Sequence, residues 1–148
     1  MRIRNVKNKE EILDNCSFLL SNPKEYKGKF KELFNNDNPI YVEIGMGKGQ
    51  FIYQNAKKYK DINFIGIERF DSIMAKAILK MEKLDNLILI KYDANLISDL
   101  FDHEIDKIYL NFSDPWPKNR HENRRLTSKL FLEKYKNIFK DKERIEVR

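Results

Sequence analysis

The sequence predicts an α/β domain in which helices cover both faces of a parallel sheet. Apolar runs at residues 40–44, 63–68, 87–90 and 108–112 are typical of buried strands, and helix-spaced segments lie between them. Three of the five glycines fall between the first run and its following helix, within residues 45–49. The 148 residues and 41% hydrophobic content suit one domain, 1–148, with an N-terminal appendage at 1–38 and a core at 39–148.

Composition excludes several classes of protein. Cys16 is the only cysteine and His103 and His121 are the only histidines, so neither an internal disulfide nor a zinc site held by these residue types is expected. No apolar run approaches the roughly 20 residues of a membrane span, which predicts a cytoplasmic protein with no membrane partner. The net charge of +6 favours an anionic partner. Nothing in the sequence indicates a protein-bound metal or chooses between a monomer and a homodimer.

The N-terminal appendage is predicted to be helical at residues 10–20, where apolar residues recur at helical spacing before Ser21, Asn22 and Pro23. Aromatic and basic residues then alternate over 26–34. This second segment could contact RNA, but packing against the sheet is the favoured interpretation.

The first strand leads directly into a glycine turn, Gly45-Met46-Gly47-Lys48-Gly49, and then into a helix. This arrangement brings backbone close to a nucleotide-like ligand. A phosphate-binding P-loop is disfavoured, because Gly49 stands where a magnesium-binding Ser or Thr is required. A dinucleotide and S-adenosylmethionine are the remaining ligand classes.

Two acidic residues help to choose between a dinucleotide and S-adenosylmethionine. Glu43 precedes Gly45 by two residues, where a carboxylate would repel a pyrophosphate but attract a cationic ligand, which favours S-adenosylmethionine. Glu68 ends the second strand, where an acid binds ribose hydroxyls in either ligand class. Asp93 and Asn95 follow the third strand and are predicted to meet the adenine end of the ligand. Capping of a short helix at 96–101 is the competing role for these two residues.

The fourth strand ends at Ser113-Asp114-Pro115-Trp116-Pro117, which places a carboxylate beside a tryptophan held between two prolines. The next eight residues contain one acidic and four basic residues, and so carry three of the six net positive charges. The basic residues are Lys118, Arg120, Arg124 and Arg125. A solvated basic loop is the simpler interpretation. The more specific interpretation is a reaction site that binds a nucleic acid, since Lys and Arg position the phosphates while a carboxylate and an aromatic ring recognise a base.

The remaining residues are predicted to form a helix and a last strand. Thr127 is expected to cap the helix, residues 144–148 are expected to begin a fifth strand, and the core contacts of this segment are assigned to Leu130, Phe131, Tyr135, Ile138 and Phe139.

Together these segments resemble the bacterial tRNA (guanine-N(7)-)-methyltransferases. The resemblance is carried by Glu43 to Gly49, by Gly66-Ile67-Glu68, and above all by Asp114-Pro115-Trp116-Pro117-Lys118 with the following Arg120-His121 and Arg124-Arg125-Leu126. Asn119 departs from a lysine common in that family, which removes one phosphate contact at most.

The resemblance implies a Rossmann-like, S-adenosylmethionine-dependent methyltransferase that modifies N(7) of guanosine 46 in the tRNA variable loop. By position, Glu43, Glu68, Asn95 and Asp114 would bind the cofactor, with Gly45, Gly47 and Asp93 beside them. Asp114 would also be the catalytic carboxylate, and RNA contacts are expected from Lys118, Arg120, His121, Arg124 and Arg125. Guanine N(7) has a lone pair and no proton, so no general base is required.

Members of that family continue beyond the fifth strand with further substrate-binding residues and a closing antiparallel pair of strands. The last antiparallel strands are therefore expected to be missing here. A non-catalytic remnant that binds tRNA and S-adenosylmethionine is one alternative. A nicotinamide dehydrogenase and an amino-group methyltransferase are two others.

Overall fold

The computed structural model describes residues 7–111 and 129–148. Their strands form one five-stranded sheet in the order β3-β2-β1-β4-β5, and every neighbouring pair is parallel. The strands are β1 Ile40–Ile44, β2 Asn63–Glu68, β3 Leu87–Lys91, β4 Lys107–Leu110 and β5 Ile145–Val147. The predicted α/β fold with a parallel sheet is confirmed.

Helices lie on both faces of this sheet. The helices are α1 Lys9–Asp14, α2 Phe30–Phe34, α3 Gln50–Lys58, α4 Asp71–Leu79 and α5 Lys129–Tyr135, with short 3₁₀ helices at Pro23–Tyr26 and Ala94–Asp99. Alternate strand residues point to opposite faces, which separates the apolar residues into two cores. One core joins Val42 and Ile65 to α2 and α5, and the other joins Phe64 and Leu89 to α3 and α4.

The prediction of a helix over residues 10–20 is wrong in its second half, because α1 ends at Asp14. The next segment runs along the outer edge of β3, where the Leu20 N–H donates to the Leu89 carbonyl at 2.9 Å and the Leu89 N–H donates to the Phe18 carbonyl at 2.8 Å. An unpaired strand edge offers backbone hydrogen bonds that a local helical pattern cannot anticipate.

Other predicted boundaries shift by a few residues. The third strand, predicted at residues 87–90, extends to Lys91. The expected helix at 96–101 is a 3₁₀ helix at Ala94–Asp99. In the last helical segment Phe131 and Tyr135 are buried as predicted, whereas Ile138 and Phe139 are buried beyond the end of α5. Thr127 lies outside the described residues.

The N-terminal appendage is attached to the core by a buried carboxylate. Glu104 accepts hydrogen bonds from the Gly28 N–H at 2.6 Å, the Asp102 N–H at 2.9 Å and the Phe30 N–H at 3.0 Å. These bonds fix the start of α2, so Phe30 and Phe34 become buried in the core, as the packing interpretation predicted.

Replacing Glu104 with glutamine is expected to lower the free energy of unfolding by about 1–3 kcal/mol. Glutamine keeps one acceptor oxygen but places an NH₂ group against buried N–H donors, which leaves a donor unsatisfied. Urea denaturation measures the effect. Glu133→Gln is the matched control, because Glu133 pairs with Lys136 at the surface. Equal losses in the two variants would contradict the attachment role of Glu104.

Candidate functional site

Parallel pairing brings the carboxyl ends of all five strands to one edge of the sheet, where open α/β sheets bind ligands. Glu43, the glycine turn and Glu68 lie at this edge, at the ends of the neighbouring strands β1 and β2. Asn111 also lies there, since its N–H donates to the Ile44 carbonyl at 3.2 Å.

The glycine turn has a backbone that favours glycine at three alternate positions. Gly45, Gly47 and Gly49 have φ values of 74°, 59° and 77°, in the left-handed region that residues with a Cβ rarely adopt. The N–H groups of Gly45 and Met46 both donate to the Ile67 carbonyl of β2, at 2.9 and 3.0 Å. The turn is therefore folded back over the end of β2 before α3 begins.

Glu43 is a fully buried carboxylate that accepts no hydrogen bond from the residues that the structure describes. Its exposed fraction is 0%, and neither oxygen has a partner among the described residues. Burial raises the pKa of Glu43 to about 8, although Arg148 acts to lower it. A buried acid that receives no hydrogen bond from the described residues is costly to ionise, and its ionisation becomes favourable only when hydrogen-bond donors or a cation in direct contact are supplied.

Glu43 is surrounded largely by aromatic side chains and a glycine. Its neighbours across the sheet are Gly66 on β2 and Tyr109 on β4. The Tyr109 ring packs on Phe51 of α3 with a centroid distance of 4.9 Å, and the Arg148 guanidinium lies 3.4 Å from the centre of the Phe51 ring. The Arg148 Nη1 atom is 4.0 Å from Glu43 Oε2, which is close enough for attraction but too long for a hydrogen bond.

Glu68 connects the end of β2 to the glycine turn. Its Oε1 atom accepts a hydrogen bond from the Gly47 N–H at 3.2 Å, and its Oε2 atom accepts one from the Phe70 N–H at 3.0 Å. Burial raises the pKa of Glu68, and the hydrogen bonds to its carboxylate act in the opposite direction. Each oxygen retains a second lone pair, so the carboxylate can still accept a ligand hydroxyl.

The loop after β3 is organised by Asp93. The Asp93 Oδ1 atom accepts from the Asn95 backbone N–H at 2.9 Å and from the Asn95 side-chain amide at 3.2 Å. Asp93 is thus the N-cap of the following 3₁₀ helix, the capping role that the sequence left open. Lys134 of α5 donates to the Asn95 carbonyl at 2.9 Å and joins this loop to α5.

The space around the glycines differs between Gly47 and Gly49. A Cβ atom added at Gly47 would have no neighbour within 4 Å among the described residues, whereas one at Gly49 would overlap the Met81 methyl group and lie 3.6 Å from the Ala77 Cβ. Gly49 therefore permits close packing of the turn against α4, while the described residues leave open space around Gly47 at the edge of the sheet.

Gly49→Ala is expected to lower the free energy of unfolding by about 2 kcal/mol, through the positive φ and the displaced Met81 side chain. Gly47→Ala should cost only about 1 kcal/mol from its positive φ, but should weaken ligand binding by filling the open space. Thermal unfolding and calorimetric ligand titration of both variants measure these effects. Unchanged ligand affinity in Gly47→Ala would contradict the assignment of Gly47 to the ligand site.

The sequence-predicted residues fall into two groups. Glu43, Gly45, Gly47, Glu68, Asp93 and Asn95 lie at or just past the carboxyl ends of β1, β2 and β3. The other predicted residues lie outside the described residues, and these are Asp114, Lys118, Arg120, His121, Arg124 and Arg125.

Three further residues of this edge were not found from the sequence. Arg148 reaches Glu43 only through the pairing of β5 with β4, and Lys134 reaches Asn95 only through the packing of α5. Tyr92 has a buried hydroxyl without a hydrogen-bond partner among the described residues. The only feature of the sequence that could have pointed to Tyr92 as a residue of this edge is its position immediately before Asp93.

The described ranges, 7–111 and 129–148, contain neither a candidate metal site nor a candidate membrane span. These ranges hold no group of three or more His, Cys, Asp or Glu side chains placed to bind a metal ion. They also hold no helix that is long and apolar enough to cross a membrane.

Comparison with known proteins places this chain in a family. The sequence profile of a family described as "Putative methyltransferase" matches residues 37–148. The chain is 49% identical over 138 residues to a tRNA (guanine-N(7)-)-methyltransferase of Lachnoclostridium phytofermentans, covering 91% of the chain and 64% of that protein. Proteins of the same name from Oceanobacillus iheyensis and Bacillus subtilis are 53% and 47% identical, and each match covers 93% of the chain and 67% of the relative. The chain thus spans about two thirds of the length of these curated relatives.

Solved structures agree on the fold. A structure titled as an antibiotic-related methyltransferase has a TM-score of 0.63 at 20% identity and covers 84% of this chain and 62% of its own. The aminoglycoside resistance methyltransferase NpmB1 has a TM-score of 0.63 at 22% identity and covers 84% of this chain and 60% of its own. The predicted Rossmann-like methyltransferase fold is confirmed. The chain belongs to the family that the profile describes and, within it, to the bacterial tRNA (guanine-N(7)-)-methyltransferases.

Proposed function

We propose that this chain transfers a methyl group from S-adenosylmethionine to N(7) of guanosine 46 in the variable loop of tRNA, in the cytoplasm. The observation that carries the proposal is the buried Glu43 carboxylate at the glycine turn, which accepts no hydrogen bond from the described residues, in a chain 47–53% identical to tRNA (guanine-N(7)-)-methyltransferases.

The residues of this edge fit S-adenosylmethionine better than a dinucleotide. Glu43 would repel a pyrophosphate but would pair with the positive charge of the amino-acid end of S-adenosylmethionine. Glu68 retains acceptor capacity for ribose hydroxyls, and Gly47 leaves open space into which the ligand can approach the backbone. Asp93 and Asn95 would lie toward the adenine.

When bound, S-adenosylmethionine supplies an electrophilic methyl group on its sulfonium. The protein must hold this methyl in line with guanine N(7) and must accommodate the positive charge that the base acquires. We assign the second task to Asp114, which would accept hydrogen bonds from the guanine N–H groups. His121 is assigned to RNA contact, because the reaction offers it no proton to take.

The tRNA contacts are assigned to the basic residues that follow Asp114. Lys118, Arg120, Arg124 and Arg125 can each meet a phosphate, and phosphate contacts set the register of a nucleic acid without reading its sequence. Binding should therefore weaken as salt rises. The reaction requires no protein-bound metal.

Incubation with labelled S-adenosylmethionine and tRNA that lacks the modification tests the proposal. After digestion of the RNA, we expect the label in 7-methylguanosine. A tRNA with adenosine at position 46 is the matched control and should stay unlabelled.

Label in any other nucleoside would contradict the assigned acceptor. Salt-sensitive tRNA binding without any label would contradict the proposed activity and would favour the non-catalytic alternative.

A further inference from the structure

We propose that Glu43 is protonated in the free protein and loses its proton to solvent when the positively charged amino-acid end of the ligand binds, so that binding is coupled to proton release. The inference rests on the proposed function, because it takes S-adenosylmethionine or its demethylated product as the ligand.

Burial disfavours the ionised form of Glu43. The carboxyl group has no exposed surface and neither of its oxygens is hydrogen-bonded within the described residues. An ionised carboxylate in such a place has lost its hydration without receiving donors in return. The protonated form avoids this cost, in agreement with the pKa of Glu43 near 8 that burial produces.

The groups that face Glu43 offer little to stabilise a negative charge. Gly66 of β2 brings no side chain, while Tyr109 of β4 and Phe51 of α3 bring rings that are in contact with each other. On β5, Glu146 lies two strands away in the same row and is paired with Lys107. Arg148 is the one cation near Glu43 in the part of the chain that the structure describes.

Arg148 pairs only incompletely with Glu43. Its guanidinium is stacked on Phe51 and stops 4.0 Å from Glu43, so it lowers the cost of ionisation without supplying a hydrogen bond. A ligand ammonium in direct contact would supply both charge and donors. Arg148 therefore offsets only part of the cost of ionising Glu43, and the bound ligand offsets the rest. Glu43 loses its proton when the ligand binds.

Calorimetric titration with S-adenosylhomocysteine tests the coupling without any turnover. Titrations at pH 6.5 in several buffers of different ionisation enthalpy give the number of protons released, because the observed heat changes with the buffer in proportion to that number. We expect close to one proton released, and a dissociation constant that falls about tenfold per pH unit between pH 5.5 and 7. The amino group of the ligand stays protonated in this range, since α-amino groups titrate near 8.

Infrared difference spectra assign the proton to a residue. The free protein at pH 6.5 should show the C=O band of a protonated carboxylic acid, and this band should disappear on binding of S-adenosylhomocysteine. Glu43→Gln should lack the band already in the free protein, which keeps the test valid even if this variant binds no ligand. Glu146→Gln is the control and should retain the band, because Glu146 is half-exposed and paired with Lys107.

Tight binding with no proton release, or a band that persists in Glu43→Gln, would overturn this inference and leave the proposed function intact. Failure of the unsubstituted chain to bind either S-adenosylmethionine or S-adenosylhomocysteine would overturn both.

Discussion

Glu43→Gln is expected to raise the free energy of unfolding of the free protein by about 3 kcal/mol at pH 7. The wild-type carboxyl is mainly protonated when folded, with a pKa of about 8, and ionised when unfolded, with an ordinary value of 4.5. Each pH unit above 4.5 therefore favours the unfolded chain by about 1.4 kcal/mol until the folded pKa is reached. Glutamine does not titrate and removes this cost.

The direction of the pH dependence follows from the raised pKa. Below pH 4.5 Glu43 is protonated in both states, and the stability of the folded protein is fully present. Between pH 4.5 and 8 the folded state binds one more proton than the unfolded state, so this stability is lost as the pH rises through 8. Urea denaturation of wild type and Glu43→Gln at pH 5, 7 and 8 should show a difference that grows with pH.

Glu146→Gln is the matched control for this stability effect. Glu146 lies in the same row of the sheet as Glu43 but is half-exposed and paired with Lys107. We expect its replacement to change the free energy of unfolding by less than about 1 kcal/mol. A Glu43→Gln variant that is less stable than wild type at pH 8 would contradict the burial argument. The stabilised variant should nevertheless bind S-adenosylmethionine poorly, since it has lost the charge that meets the ligand.

Asp114→Ala is expected to lower the rate of methyl transfer by roughly 30-fold to 1,000-fold. This corresponds to about 2–4 kcal/mol of transition-state stabilisation, the typical effect of removing one preorganised polar group. Single-turnover transfer from labelled S-adenosylmethionine to tRNA measures the chemical step apart from product release.

A separate measurement distinguishes the two roles assigned to Asp114. Calorimetric titration with S-adenosylhomocysteine shows how much of the loss comes from cofactor binding. Asp99→Ala is the control, since Asp99 is an exposed acid of the 3₁₀ helix Ala94–Asp99. Normal single-turnover rates in Asp114→Ala would exclude a catalytic role for this residue.

The sequence by itself determined the parallel sheet and the position of the glycine turn. The first two strands have the predicted bounds, 40–44 and 63–68, because predominantly apolar runs are flanked there by turn residues. Glu43 and Glu68 were found in the same way, since each is placed by its distance along the chain from a strand end. Both features depend on neighbours in the sequence.

Only the tertiary structure decided which distant groups meet at the site. The pairing of Phe18 and Leu20 with β3 replaced a predicted helix, because the edge of β3 offered backbone hydrogen bonds. The approach of Arg148 to Glu43 depends on the pairing of β5 with β4, and the bond from Lys134 to Asn95 depends on the packing of α5. The raised pKa of Glu43 likewise comes from burial by several elements, which no local pattern of residues encodes.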